Sequence, residues 1–169
     1  WLNQYLAENV FLEDVSEEYS LIAIQGPMSR DILSAFTSVN LKMPFYTFEE
    51  GLVCDHQVMV SRTGYTGELG FEIYGNAHAI VEIWNALVKA GVQPAGLAAR
   101  DMLRLEMKYC LYGNDIDKTT NPLEAGLSWV MAFGKKDFIG RTSLLEKKKN
   151  GQSRQLVAIV MDERGIPRQ

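Results

Sequence analysis

Four strand-like runs fall in the first half of this chain, over residues 19–25, 47–53, 57–62 and 70–74, with no regular strand–helix alternation. A doubly wound parallel sheet needs that alternation, so the pattern predicts an α+β fold: an antiparallel sheet with flanking helices. The fourth run is the most explicit. Phe71 and Ile73 alternate with Glu72 and Tyr74, the period of two that a half-buried strand shows. The first run closes on Gly26-Pro27, a turn signal.

Helices are expected around these strands. Trp1, Leu2, Tyr5 and Leu6 share one stripe, so residues 1–7 read as the tail of a helix. Ser29 is placed to cap a short helix whose apolar side is Ile32, Leu33 and Phe36. Asn76 caps the next, where Ile80, Val81, Trp84, Leu87 and Val88 recur at helical spacing and Gly91 ends it. Good helix formers fill residues 97–108, and a loop rich in Gly, Asn, Asp and Thr follows over 113–121. Residues 142–150 predict a helix stopped by Gly151, and residues 155–161 a final strand.

With 169 residues, 47% of them hydrophobic, the chain can bury the core of one domain, or of one domain and part of another. Its net charge of −4, with Lys and Arg scattered apart from Lys147-Lys148-Lys149, announces no basic face. Nucleic acid and anionic membrane are therefore not expected as main partners. No apolar run reaches the roughly 18 residues of a membrane helix, and no signal peptide is visible. Cys54 and Cys110 are too few for a disulfide framework and have no C-x-x-C spacing, which fits a reducing compartment.

The chemistry concentrates in Ser61-Arg-Thr-Gly-Tyr-Thr-Gly-Glu68 with the strand after it, and in Ala95-Gly-Leu-Ala-Ala-Arg-Asp101. Gly64, Gly67 and Gly70 are spaced as neither the dinucleotide fingerprint nor the phosphate loop, and the Lys-Ser/Thr pair that grips a nucleotide is missing. They make either a hairpin or a place where a ligand approaches the backbone. Tyr65 adds an aromatic face and a hydroxyl between two of them. Glu72 is either a solvated strand position or an inward carboxylate that requires a donor. Arg100 and Arg104 share a helix face and suit a ligand with carboxylates or carbonyls; the alternative is a surface network with Asp101 and Glu106. Tyr109 falls beyond that helix or on another side of it and reads as ordinary core. His56 and His78 are isolated in the sequence and read as surface or capping residues. No Ser-His-Asp set, Cys-His set or metal cluster is present. The mix suits a flat, polar, hydrogen-bonding ligand better than a phosphate or a metal.

Five blocks then match together in order and rough spacing: Leu21-Ile-Ala-Ile-Gln-Gly-Pro27, Ser61 to Glu68, Ala95 to Asp101, Leu111-Tyr-Gly-Asn-Asp-Ile116 and Asn121-Pro-Leu-Glu-Ala-Gly-Leu127. Over nearly the whole chain this resembles the T-proteins, the aminomethyltransferases of the glycine cleavage system. The resemblance implies tetrahydrofolate as cofactor, bound through Tyr65, Glu72 and Arg100, and through Tyr109 in some members. The pterin ring's N–H and amino group form a parallel donor pair that one carboxylate accepts bidentately. It also implies a partner, the lipoylated H-protein. Its aminomethyl group would yield ammonia and 5,10-methylenetetrahydrofolate.

The same resemblance implies that the family's catalytic aspartate lies upstream of Trp1, so no catalytic residue is assigned here. Residues 1–150 would form a central folate-binding region, and 151–169 would lead into a C-terminal barrel that follows. Both ends are expected to be internal to a longer protein, and the piece alone to be inactive. A T-protein is cytoplasmic if bacterial and in the mitochondrial matrix if eukaryotic. Two relatives share the scaffold. A folate-binding protein of iron–sulfur assembly and RNA modification carries Lys-Gly-Cys-Tyr-x-Gly-Gln, where this chain has Lys135-Lys136-Asp137-Phe138-Ile139-Gly140-Arg141, with Asp137 in place of the cysteine. The folate domain of flavin-dependent sarcosine or dimethylglycine oxidases would need a flavin domain upstream.

Overall fold

A computed structural model describes residues 1–165. The chain forms two compact units, Trp1–Leu103 and Arg104–Gln169. The first holds four strands, β1 (Ser20–Gln25), β2 (Phe48–Val53), β3 (His56–Ser61) and β4 (Gly70–Gly75), with helices α1 (Ser29–Ser34) and α2 (Ala77–Lys89). Helix α3 (Leu97–Glu106) runs across the boundary, and α4 (Arg141–Asn150) lies in the second unit. The sheet's pairings are antiparallel, in the order β1-β4-β3-β2, as the strand clustering predicts. Among the described residues, no helix is long and apolar enough to cross a membrane.

Register explains how β4 divides its side chains. Phe71 lies opposite Ile24, and Ile73 opposite both Ile22 and Val60. These residues, with Val58, face the core shared with Leu33 of α1 and Ile80, Ile83 and Leu87 of α2. Glu72 and Tyr74 therefore project from the other face, beside Ala23 and Ser61. Glu72 is not inward toward the apolar core; it is a half-buried carboxylate on the sheet's polar side.

Helix α2 is bounded as its sequence predicts. The Asn76 side chain accepts from the Ala79 N–H at 2.9 Å. At the far end Gly91 takes φ +92°, while its N–H and that of Val92 close on the carbonyls of Val88 and Leu87. Asn76→Ala is expected to cost about 1 kcal/mol, read as a lower urea midpoint. An unchanged midpoint would mean that the cap adds nothing. The buried stripe differs from the expected one: Ala79, Ile80, Ile83 and Leu87 are buried, while Val81, Trp84 and Val88 are exposed. Helical spacing marks one side of the helix, and only a narrow arc of that side is buried.

Three other expectations are corrected. Residues 1–7 give a single 3-10 turn, Leu2–Tyr5. Ser29 is not a cap: α1 already receives Met28 as its first flanking residue, and the buried Ser29 hydroxyl donates to the Leu69 carbonyl at 3.0 Å. Residues 155–161 form no strand; among the described residues, the Leu156 N–H donates to the Glu124 carbonyl at 2.8 Å. Alternating apolar residues describe a strand only where a neighbouring strand offers a ladder. The expected lead into a barrel runs over 151–169, and its last four residues lie outside the described ones.

In the second unit the end of α3 is fixed by a buried ion pair. Arg104, 4% exposed, donates to the Asp115 carboxylate and, at 3.1 Å, to the Tyr109 carbonyl. Asp115 also accepts from the Leu111 N–H at 2.9 Å. Arg104 thus belongs to a structural network that includes Asp115.

Candidate functional site

The connection between β3 and β4, residues 62–69, carries the glycine-rich motif and folds around one side chain, Gln25. This residue ends β1 opposite Gly70. Its Nε2 donates to the carbonyls of Thr63 and Phe71, both at 3.3 Å, and its Oε1 accepts from the Thr66 hydroxyl at 3.3 Å. Gly64 and Gly70 leave the room: a Cβ at either position would overlap the Gln25 amide.

The loop in turn holds Glu72. The Ser61 and Thr63 hydroxyls are 2.7 Å apart, and the Thr63 hydroxyl donates a hydrogen bond to Glu72 Oε2. The Tyr74 hydroxyl reaches the same oxygen at 3.5 Å. Burial first, and the Glu72 carboxylate second, raise the Tyr74 pKa above its ordinary value near 10, so at neutral pH this hydroxyl remains a donor. Both hydroxyls engage Oε2, and among the described residues Oε1 takes no donor. The cross-strand neighbours of Glu72 are small, Ala23 and Ser61, which leaves space around the carboxylate.

Tyr65, in the middle of the loop, meets α3. The Arg100 guanidinium stands 4.6 Å from the centre of its ring, a cation–π distance. Beside this pair lies a mainly apolar cavity of about 380 Å³, lined among others by Ala23, Gln25, Thr66, Trp84 and Arg100. That volume falls in the range of small-molecule sites. Glu72 does not line the cavity, but its partner across β1, Ala23, does.

The structure thus brings Tyr65 and Arg100 into contact and ties Glu72 to the same loop. Tyr109 belongs to the second unit, where its N–H donates to the Arg104 carbonyl at 2.8 Å and it borders a cavity of about 280 Å³ with Arg104 and Asp115. Sequence reasoning missed Gln25, Thr63 and Tyr74. Tyr74 was legible, since it is two residues from Glu72 on one strand and must share its face. Gln25 was not, because its partners are about 40 residues distant.

The two histidines are less isolated than they look in sequence. His56 Nε2 lies 2.8 Å from Glu82, and the His56 and His78 rings meet edge to face at 5.7 Å. The His56 hydrogen bond is the main reason that the exposed Glu82 carboxyl is held below its usual pKa. Among the described residues, no group of three or more His, Cys, Asp or Glu could hold a metal ion. Cys54 and Cys110 are both unbridged.

The family described as GCVT N-terminal domain matches residues 1–135. The chain belongs to that family. It is 49% identical over 173 residues to an aminomethyltransferase of Halothermothrix orenii, covering 99% of this chain and 48% of that protein. An aminomethyltransferase of Flavobacterium psychrophilum is 46% identical over 174 residues, again covering 99% of this chain and 48% of the relative. Among solved structures, the glycine cleavage system aminomethyltransferase T from Bartonella henselae superposes with a TM-score of 0.73 at 36% identity, covering 81% of this chain and 38% of that one. The α+β fold with an antiparallel sheet is therefore the family's own. The chain spans about half the length of the curated relatives it matches.

Proposed function

We propose that the chain is the folate-holding part of a glycine cleavage system aminomethyltransferase. The reaction would move a one-carbon unit from the aminomethyl-lipoyl arm of an H-protein to tetrahydrofolate, with release of ammonia. In a bacterial source this would take place in the cytoplasm. What carries the reading is the Glu72 carboxylate, oriented by the Thr63 and Tyr74 hydroxyls on one oxygen, with small neighbours on both sides.

These residues fit a reduced pterin. Its paired N–H donors match a carboxylate, whereas a phosphate would be repelled there. Its flat ring suits the Tyr65 face, which Arg100 backs with a permanent charge. Tetrahydrofolate, when bound, supplies the two nitrogens, one in the pterin ring and one beside it, that would accept the one-carbon unit. The chain's own part is to bind and orient: Glu72 fixes the pterin edge, Tyr65 the ring plane, and Arg100 offers its fork to carbonyl or carboxylate oxygens. None of the three is asked to move a proton. Tyr109 is proposed as a further contact.

The test is turnover. A polypeptide of the relatives' full length, given aminomethylated H-protein and tetrahydrofolate, should release ammonia, while the 169 residues alone should release none. Full-length protein that binds H-protein yet yields no ammonia with tetrahydrofolate would overturn the assignment.

A further inference from the structure

We infer that Gln25 is a positioning residue: its side-chain amide sets the loop that presents Tyr65 and Thr63 to the ligand. This rests on the folate-binding reading for its ligand, but its structural part stands independently. The loop has to hold an aromatic ring and a hydroxyl in fixed places without regular secondary structure. A segment of this kind is ordered only by bonds from outside it.

Gln25 supplies those bonds on both sides of Tyr65. One amide hydrogen goes to the carbonyl of Thr63, two residues before, and the acceptor oxygen takes the hydroxyl of Thr66, one residue after. The other amide hydrogen goes to Phe71 on β4, which anchors the loop to the central strand. Two carbonyls on one side fix the orientation of the amide, since the flipped form would set its oxygen against both. Only glutamine meets the requirement at this length. Glutamate would face two carbonyl oxygens with a carboxylate, asparagine is one methylene short, and methionine fills the space without donors.

The glycines say the same thing. Neither Gly64 nor Gly70 has a positive φ, so alanine is allowed there by the backbone. In both cases the atoms a methyl would meet belong to the Gln25 amide. These two glycines of the motif are thus space for a side chain from β1, and the effect of filling that space must depend on whether Gln25 is present.

The experiment uses the full-length protein with Gln25→Met, Gly70→Ala, Gln25→Ala and the Gln25→Ala/Gly70→Ala pair. The readouts are hydrogen exchange of residues 63–69, tetrahydrofolate affinity by calorimetry, and thermal midpoint. Gln25→Met and Gly70→Ala should each speed loop exchange and weaken tetrahydrofolate about tenfold, with a small change in midpoint. Gly70→Ala should add nothing further once Gln25 is alanine. Parental loop exchange in Gln25→Met, or an undiminished Gly70→Ala effect in the Gln25→Ala background, would overturn the inference. If the parent binds no tetrahydrofolate, the folate reading fails, while loop exchange and the pair still decide the role of Gln25.

Discussion

Phe71→Ala is expected to lower the unfolding free energy of the first unit by about 3–5 kcal/mol, seen as a large drop in urea midpoint. Phe71 is fully buried on β4, which has a strand on either side, and its aromatic ring is the largest fully buried side chain among the described residues. Its cross-strand partner is Ile24, and the surrounding cluster includes Leu33 and Ile83, both also fully buried. A close-packed interior relaxes only partly around such a loss, so the cost includes the cavity as well as the lost transfer energy. A midpoint within a few tenths of molar of the parent would contradict this account of the core.

One residue further on, the expected result reverses. Glu72→Gln should leave the midpoint nearly unchanged and weaken tetrahydrofolate binding about 10- to 100-fold, the range for losing a charge-assisted pair of hydrogen bonds worth about 1.5–3 kcal/mol. Glutamine keeps the shape of the side chain and can still accept from Thr63 and Tyr74. It cannot accept two pterin N–H donors, because one of its terminal atoms is itself a donor. Calorimetric titration of the full-length protein measures the effect. Binding as tight as that of the parent would refute the pterin-edge assignment, whatever the stability data show.

The contrast between neighbours was legible in the sequence to the extent that period-two alternation separates Phe71 and Ile73 from Glu72 and Tyr74. The same local signals placed β1 to β4 within a residue or so and put Asn76 and Gly91 at the ends of α2. They failed where tertiary context decides. Ser29 looks like a cap, but its hydroxyl is taken by Leu69 across the loop. Val81, Trp84 and Val88 have the right spacing for the core and the wrong side of the helix. Residues 155–161 have strand composition and no ladder. At the site, Tyr65 and Arg100 could be named from residue type and motif, and the structure adds that they touch. The Gln25 linkage had no local trace, because a polar side chain at a strand end is indistinguishable from a solvated one until its distant partners are known.

A structure of the full-length protein with tetrahydrofolate bound is the most direct test. The pterin N–H edge should lie within hydrogen-bonding distance of the Glu72 carboxylate, with the ring beside Tyr65 and Arg100. A pterin bound elsewhere, with Glu72 still engaged only by the hydroxyls of Thr63 and Tyr74, would contradict the account.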